Sequence, residues 1–165
     1  MTATFPQLLQ QHARQRPQAP ALREKEFGIW QTWTWREAEQ SVRRMACGLA
    51  ALGLQRGHNL AFISDNRPHV YLGFLAVQAV GGVPIPLYQD AVAAEMRFVI
   101  EDAGVQMAFA ENQEQVDKLL EVRESNPANY EAWFKAIRTY LPSTRLPQDP
   151  QILGSATARR FKVLE

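Results

Sequence analysis

The side chains able to run a reaction are scattered along this chain. Its three histidines, His12, His58 and His69, share no HExxH or Cys/His spacing, so a metal site has little to build on. Asp65 is the most inviting single residue. It follows the short apolar run NLAFIS, and open α/β sheets gather ligands beyond the carboxyl ends of their strands. A phosphoacceptor there would want an acidic pair on the first strand and a lysine after a later one. Neither is present, so Asp65 or Asn66 reads as the cap of the helix that follows. Glu101 and Asp102 sit at a helix end, where carboxylates are commonly solvated. Cys47 lies inside a helix with no sign of the electropositive, accessible setting a reactive thiol needs, and reads as a structural cysteine. There is no GxxxxGK[ST] and no GxGxxG, and Gly81-Gly82 closes a helix, where carbonyls rather than N–H groups face outward. No catalytic, cofactor-binding or metal-ligating residue is therefore assigned. An open strand edge near Asp65, Asn66 and Tyr88 remains as a place for a small ligand.

The elements that would carry such an edge centre on residues 59–87. NLAFIS reads as a strand with both faces covered, RPHVYLGFLAVQAVGG as a helix and VPIPL as a second strand. Pro68 suits the first helical turn. From Val70 to Val80 only Gln78 is frankly polar, so the helix has almost no solvated face and belongs between layers. Such a unit joins two parallel strands by a right-handed crossover. A helix with Val92, Met96, Val99, Ile100 and Ala103 follows, then the strand VQMAFA, then a helix capped at Asn112–Gln115. This alternation predicts an α/β fold with an open, largely parallel sheet and helices on both faces.

Before it come a short amphipathic helix (Leu8, Leu9, His12 and Ala13 on one side) and a β-hairpin bending at Phe27-Gly28. Trp30, Trp33 and Trp35 read as packing residues, since no basic stripe accompanies them as it would at a base-stacking site. Thr34–Glu37 is a capping box. It opens a helix whose apolar face is Ala38, Val42, Met45, Ala46, Leu49 and Leu52, closed by Gly53.

At 165 residues the chain is long enough for a sizeable core, and 46% apolar with 21% charged residues argues against wholesale disorder. The net charge of +1 gives no reason to expect nucleic acid. No apolar run reaches the ~20 residues of a transmembrane span. MTATFPQLLQQHARQ has no basic start with an apolar stretch and cleavage site, and a lone cysteine suits a reducing compartment, so the cytoplasm is expected.

Charge is uneven. Residues 1–57 hold eight Lys/Arg and four Asp/Glu, 58–124 four and ten, and 125–165 six and three. The sign change near Glu124 suggests two parts, 1–124 and a tail 125–165. In the tail Tyr130, Trp133, Phe134, Ile137 and Leu141 would share one side of a helix ended by Pro142. A Pro-rich stretch then leads to Arg159, Arg160 and Lys162, a cluster that reads as solvated.

The ordered set ARQRPQAPAL, TWREAEQSVRRMACGLAALGLQRG, LAFISDN, AVQAVGGVPIPL and VIEDAG resembles the start of AMP-forming acyl-CoA synthetases, in their long-chain fatty acid ligase form. The resemblance covers roughly residues 4–124. It implies the N-terminal subdomain of an adenylate-forming enzyme, with ATP, Mg²⁺ and coenzyme A as cofactors of the full-length family and none for this chain alone. The family's phosphate-binding Ser/Thr/Gly-rich loop and the lysine of its mobile C-terminal domain have no counterpart here, so this chain is expected to be inactive by itself. Each Leu, Ile, Val or Phe left uncovered forgoes about 1.5–3 kcal/mol of burial. Self-association or a complementing ligase chain is therefore expected. The rival reading is a stand-alone α/β module for interaction or for a small ligand.

Overall fold

The computed structural model describes residues 3–125 and the backbone of two further short strands. In chain order the elements are α1 (Phe5–Gln15), β1 (Pro20–Glu26), β2 (Ile29–Thr34), α2 (Trp35–Ala51), β3 (Asn59–Ile63), α3 (Pro68–Val80), β4 (Val83–Leu87), α4 (Ala93–Asp102), β5 (Val105–Ala110), α5 (Gln113–Ser125), β6 (Ile137–Thr139) and β7 (Val163–Leu164). They form two compact units. One comprises residues 1–58 and 66–84, the other 59–65 and 85–165.

The first unit is assembled from locally encoded pieces. Thr34 Oγ1 accepts from the Glu37 N–H at 3.3 Å while the Glu37 carboxylate accepts from the Thr34 N–H at 2.9 Å, which is the reciprocal cap the sequence predicts for α2. At the start of α1 the Thr4 N–H donates to Gln7 Oε1 at 2.9 Å, one half of the same exchange. Helix α2 packs on α3 and α1 around buried Leu9, Ala38, Val42, Leu72 and Ala76, with Met45, Ala46 and Leu49 half-buried beside them. Small residues at the crossing let the helix axes come close. The strands β1 and β2 pair antiparallel, and Phe27 and Gly28 both have positive φ, 48° and 81°, as a two-residue hairpin bend requires.

Helix α3 begins with Pro68 in its first turn, as expected, but its cap position is Arg67 and no side chain caps it. Asp65 and Asn66 are not caps, because Arg67, itself extended at φ −114° and ψ 158°, takes the cap position. Tyr71 and Ala79 are exposed, so α3 does have a narrow solvated strip, while Pro68, Val70, Leu72, Gly73, Ala76 and Val77 are buried. At its end Gly81 is left-handed (φ 87°) and the Gly82 N–H donates to the Val77 carbonyl at 2.9 Å. A Cβ on Gly82 would lie 2.9 Å from Val77 Cγ1 and 3.1 Å from the His58 carbonyl oxygen, so this glycine is required by close approach.

The second unit holds the five-stranded sheet, in the order β4-β3-β5-β6-β7. Strand β3 pairs parallel with β5, β5 parallel with β6, and β6 antiparallel with β7. Strand β4 is an edge strand, which accounts for Pro84 and Pro86: a proline has no N–H to donate, and an edge strand has one side where none is needed. On one sheet face Ala61, Ile63, Ala108 and Ala110 join Met96 and Ile100 of α4 and Val116, Leu119 and Val122 of α5 in one core. On the other face Leu60 stands opposite Met107 and Phe62 opposite Phe109, the two rings 5.3 Å apart.

The β3–β5 register slips between Asn59 and Leu60, leaving Gln106 as an extra residue. Its side-chain oxygen accepts from the Asn59 N–H at 2.7 Å, while the Asn59 side chain donates to the Ala103 carbonyl. Polar side chains thus supply the bonds that the bulge removes from the ladder.

Of the aromatic tail helix, residues 126–136 and 140–141 lie outside the described residues. Residues 137–139 are strand β6, because the open edge of β5 offers a parallel partner's hydrogen bonds. The basic cluster at Arg159, Arg160 and Lys162 also lies outside the described residues.

Candidate functional site

The carboxyl ends of β3 and β5 lie side by side, since Ile63 pairs with Ala110. The residues just beyond them, Ser64 and Glu111, therefore meet. Ser64 Oγ donates to Glu111 Oε2 at 2.7 Å, and the Asp65 N–H donates to the same oxygen at 2.7 Å. The Glu111 N–H returns a bond to the Ile63 carbonyl at 3.1 Å. Asn112 accepts from the Gln115 N–H at 3.1 Å and caps α5, as the sequence predicts. Past β4, Lys118 Nζ donates to the Gln89 carbonyl at 2.6 Å and pairs with Glu114 at 3.0 Å, fastening the loop that carries exposed Tyr88.

This edge is braced rather than reactive. Glu111 spends one oxygen on two donors from the β3 loop, which fits a strut better than a general base, since a base needs its lone pairs free for substrate. Asp65 is exposed and contributes its backbone to the strut. No group of three or more His, Cys, Asp or Glu among the described residues converges as a metal site would.

The other singled-out residues are apart. His12 stacks against Trp35 with ring centroids 4.5 Å apart, and Arg16 lies 5.0 Å over the same indole. His58 Nδ1 accepts from the Gln55 N–H at 3.3 Å. His69 meets Trp33 edge-on at 5.8 Å. Trp33 and Trp35 are packing residues as expected, but Trp30 is 57% exposed and lies under Arg23. Cys47 is exposed, although the sequence gives no sign of an accessible setting, because it falls on the α2 face opposite Ala38 and Val42. Sequence reasoning missed Glu111. Its signal was the equal offset of Ser64 and Glu111 past two strands, visible only once their pairing is known.

An α/β unit with three parallel strands and flanking helices has the fold of the N-terminal subdomains of adenylate-forming enzymes. The model of the AMP-binding enzyme family matches residues 9–149, and this chain belongs to that family. It is 33% identical over 101 residues to the long-chain-fatty-acid–CoA ligase FadD15 of Mycobacterium bovis, a match covering 61% of this chain and 17% of the ligase. The chain therefore spans under a fifth of that relative's length, and the part matched is the N-terminal region. To the uncharacterized protein Rv1549 of Mycobacterium tuberculosis it is 34% identical over 110 residues, covering 67% of this chain and 62% of that protein. Among solved structures, a Rhodopseudomonas palustris chain assigned as a long-chain-fatty-acid CoA ligase superposes with a TM-score of 0.72 at 21% identity, covering 86% of this chain and 34% of the other. The N-terminal subdomain of NpsA from Klebsiella oxytoca gives 0.62 at 20% identity, covering 67% and 27%. At those identities the two structures establish the fold alone. No helix of the described residues is long and apolar enough to cross a membrane.

Proposed function

We propose that this chain is the N-terminal scaffold of an AMP-forming long-chain fatty acyl-CoA ligase and acts in the cytoplasm. The complete enzyme would activate a fatty acid with ATP and Mg²⁺ to an acyl-adenylate and pass the acyl group to coenzyme A. The family match across residues 9–149, together with the FadD15 likeness, carries this reading. Residues 1–124 supply the scaffold and 125–165 a distinct tail. The strut at Ser64 and Glu111 sets the sheet edge, and the reacting groups come from elsewhere in the enzyme.

The chain by itself is inactive on this reading, and ATP–pyrophosphate exchange tests it. Exchange is expected only when a complementing ligase chain is co-expressed with residues 1–165. Exchange by the purified chain alone would overturn the scaffold role. No exchange with any complementing ligase chain would overturn the ligase assignment.

A second reading, a stand-alone module that pairs with a separate chain, is favoured by the likeness to Rv1549, of which the match covers much more than of FadD15. Affinity capture of a ligase-related partner from the native host would support it over the first.

A further inference from the structure

The hairpin of β1 and β2 carries an exposed face that the scaffold role leaves unused. Its register sets Arg23 opposite Thr32 and Lys25 opposite Trp30, and directly opposed residues share a face. Arg23, Lys25 and Trp30 are all exposed, and the Arg23 guanidinium lies 5.1 Å from the centre of the Trp30 ring. At the bend Phe27 is 89% exposed, while Ile29 stands opposite Glu26 on the other face.

Phe27 also has φ 48°, a conformation that bulky side chains avoid and Asn or Gly adopts readily. The chain thus places a large aromatic residue where it is both strained and unburied, and neither feature helps the hairpin fold. Meanwhile the carboxylates of the hairpin are on the other face. Glu24 pairs with Arg67 at 2.6 Å, and Glu26 stands 3.8 Å from the same guanidinium. What remains toward solvent is two cations, an indole and an apolar tip.

From this arrangement we infer that the β1–β2 hairpin docks on an anionic lipid surface. Phe27 at the bend enters the interface, Trp30 sits at headgroup level and Arg23 and Lys25 meet lipid phosphates. The charge sign selects the occupant: a protein partner of ordinary composition needs no uncompensated cation pair beside the apolar tip, whereas anionic headgroups do. Trp and Arg/Lys together are the side chains that settle where hydrocarbon meets water. The inference stands apart from the ligase reading, because docking is measured without nucleotide and either can fail alone.

The test is co-sedimentation of the full chain with phosphatidylcholine vesicles, with and without phosphatidylglycerol. Binding is expected only with the anionic lipid and should weaken as salt rises. Neutralising both cations in an Arg23→Gln/Lys25→Gln variant should weaken it about fivefold per cation. Phe27→Asn should lose most of the remaining binding while melting at or above the wild-type temperature, which separates docking from folding. Equal binding to both lipid compositions, or binding unchanged in Phe27→Asn, would overturn the inference. So would vesicle binding that is absent while the wild type dimerises in sedimentation and Phe27→Asn does not, which would make the hairpin an interface between copies of the chain.

Discussion

Beyond β3 and β5 the chain turns through polar residues that hold one another, whereas between β1 and β2 it turns through apolar residues that stand in solvent. At the sheet edge Glu111 gathers Ser64 and Asp65, so exposure there is matched by hydrogen bonds. At the hairpin bend Phe27 and Ile29 are more than half exposed and Phe27 is strained as well. The same contrast runs through the interiors. Among the described residues the sheet unit encloses twelve buried residues in one cluster, and the helical unit five, with a wider margin of half-buried ones. Stability should therefore respond most to changes in the sheet unit and least at the hairpin bend, where the side chains serve something other than the fold.

The largest expected effect is in the sheet core. Ile100 is wholly buried, and Ile100→Ala should cost about 3 kcal/mol in urea unfolding. A cost no larger than that of an exposed substitution would erase the contrast between the units. Next comes Gly82→Ala, whose new methyl would meet Val77 and the His58 carbonyl; a loss of about 2 kcal/mol is expected, with Val80→Ala, half-buried in the same turn region, losing less. Glu111→Ala removes the acceptor of two charge-assisted bonds and should cost roughly 1.5–3 kcal/mol, with faster amide exchange at Asp65 as its local sign. If Asp65 exchange is unchanged, the strut is not what holds the β3 loop.

Smaller still is Thr34→Ala, which deletes the reciprocal cap of α2 and should cost about 1 kcal/mol by thermal or urea melting. At the hairpin the sign should reverse. Phe27→Asn relieves a positive-φ phenylalanine and is expected to stabilise by about 0.5–1 kcal/mol. A destabilisation there would mean that the tip does contribute to folding and would blur the two regions' difference.

How far each feature could be read beforehand follows the same division. The capping box at Thr34, the bend at Phe27-Gly28, the stop at Gly81 and the cap at Asn112 were all legible, because each depends on residues a few positions apart. The apolar stripe of α2 was legible for the same reason: Ala38, Val42, Met45 and Leu49 recur at helical spacing. The exposure of Cys47 was legible as well, since the apolar stripe of α2 leaves it out. The cap assigned to Asp65 or Asn66 failed because Arg67 takes the cap position and the Asn66 side-chain oxygen accepts from the Tyr71 hydroxyl instead.

Local chemistry in the chain thus determined the order of strands and helices, their ends and the α/β class, since hydrogen-bond caps and side-chain periods act over one or two turns. Only tertiary structure decided which strands are neighbours, that Gln106 bulges to meet Asn59, that Ser64 and Glu111 form a strut, and that 137–139 extend the sheet. Those outcomes depend on pairing between residues tens of positions apart, where the pattern at either end is compatible with several partners. Closing the sheet selects the one that buries the most apolar surface while leaving its polar groups bonded.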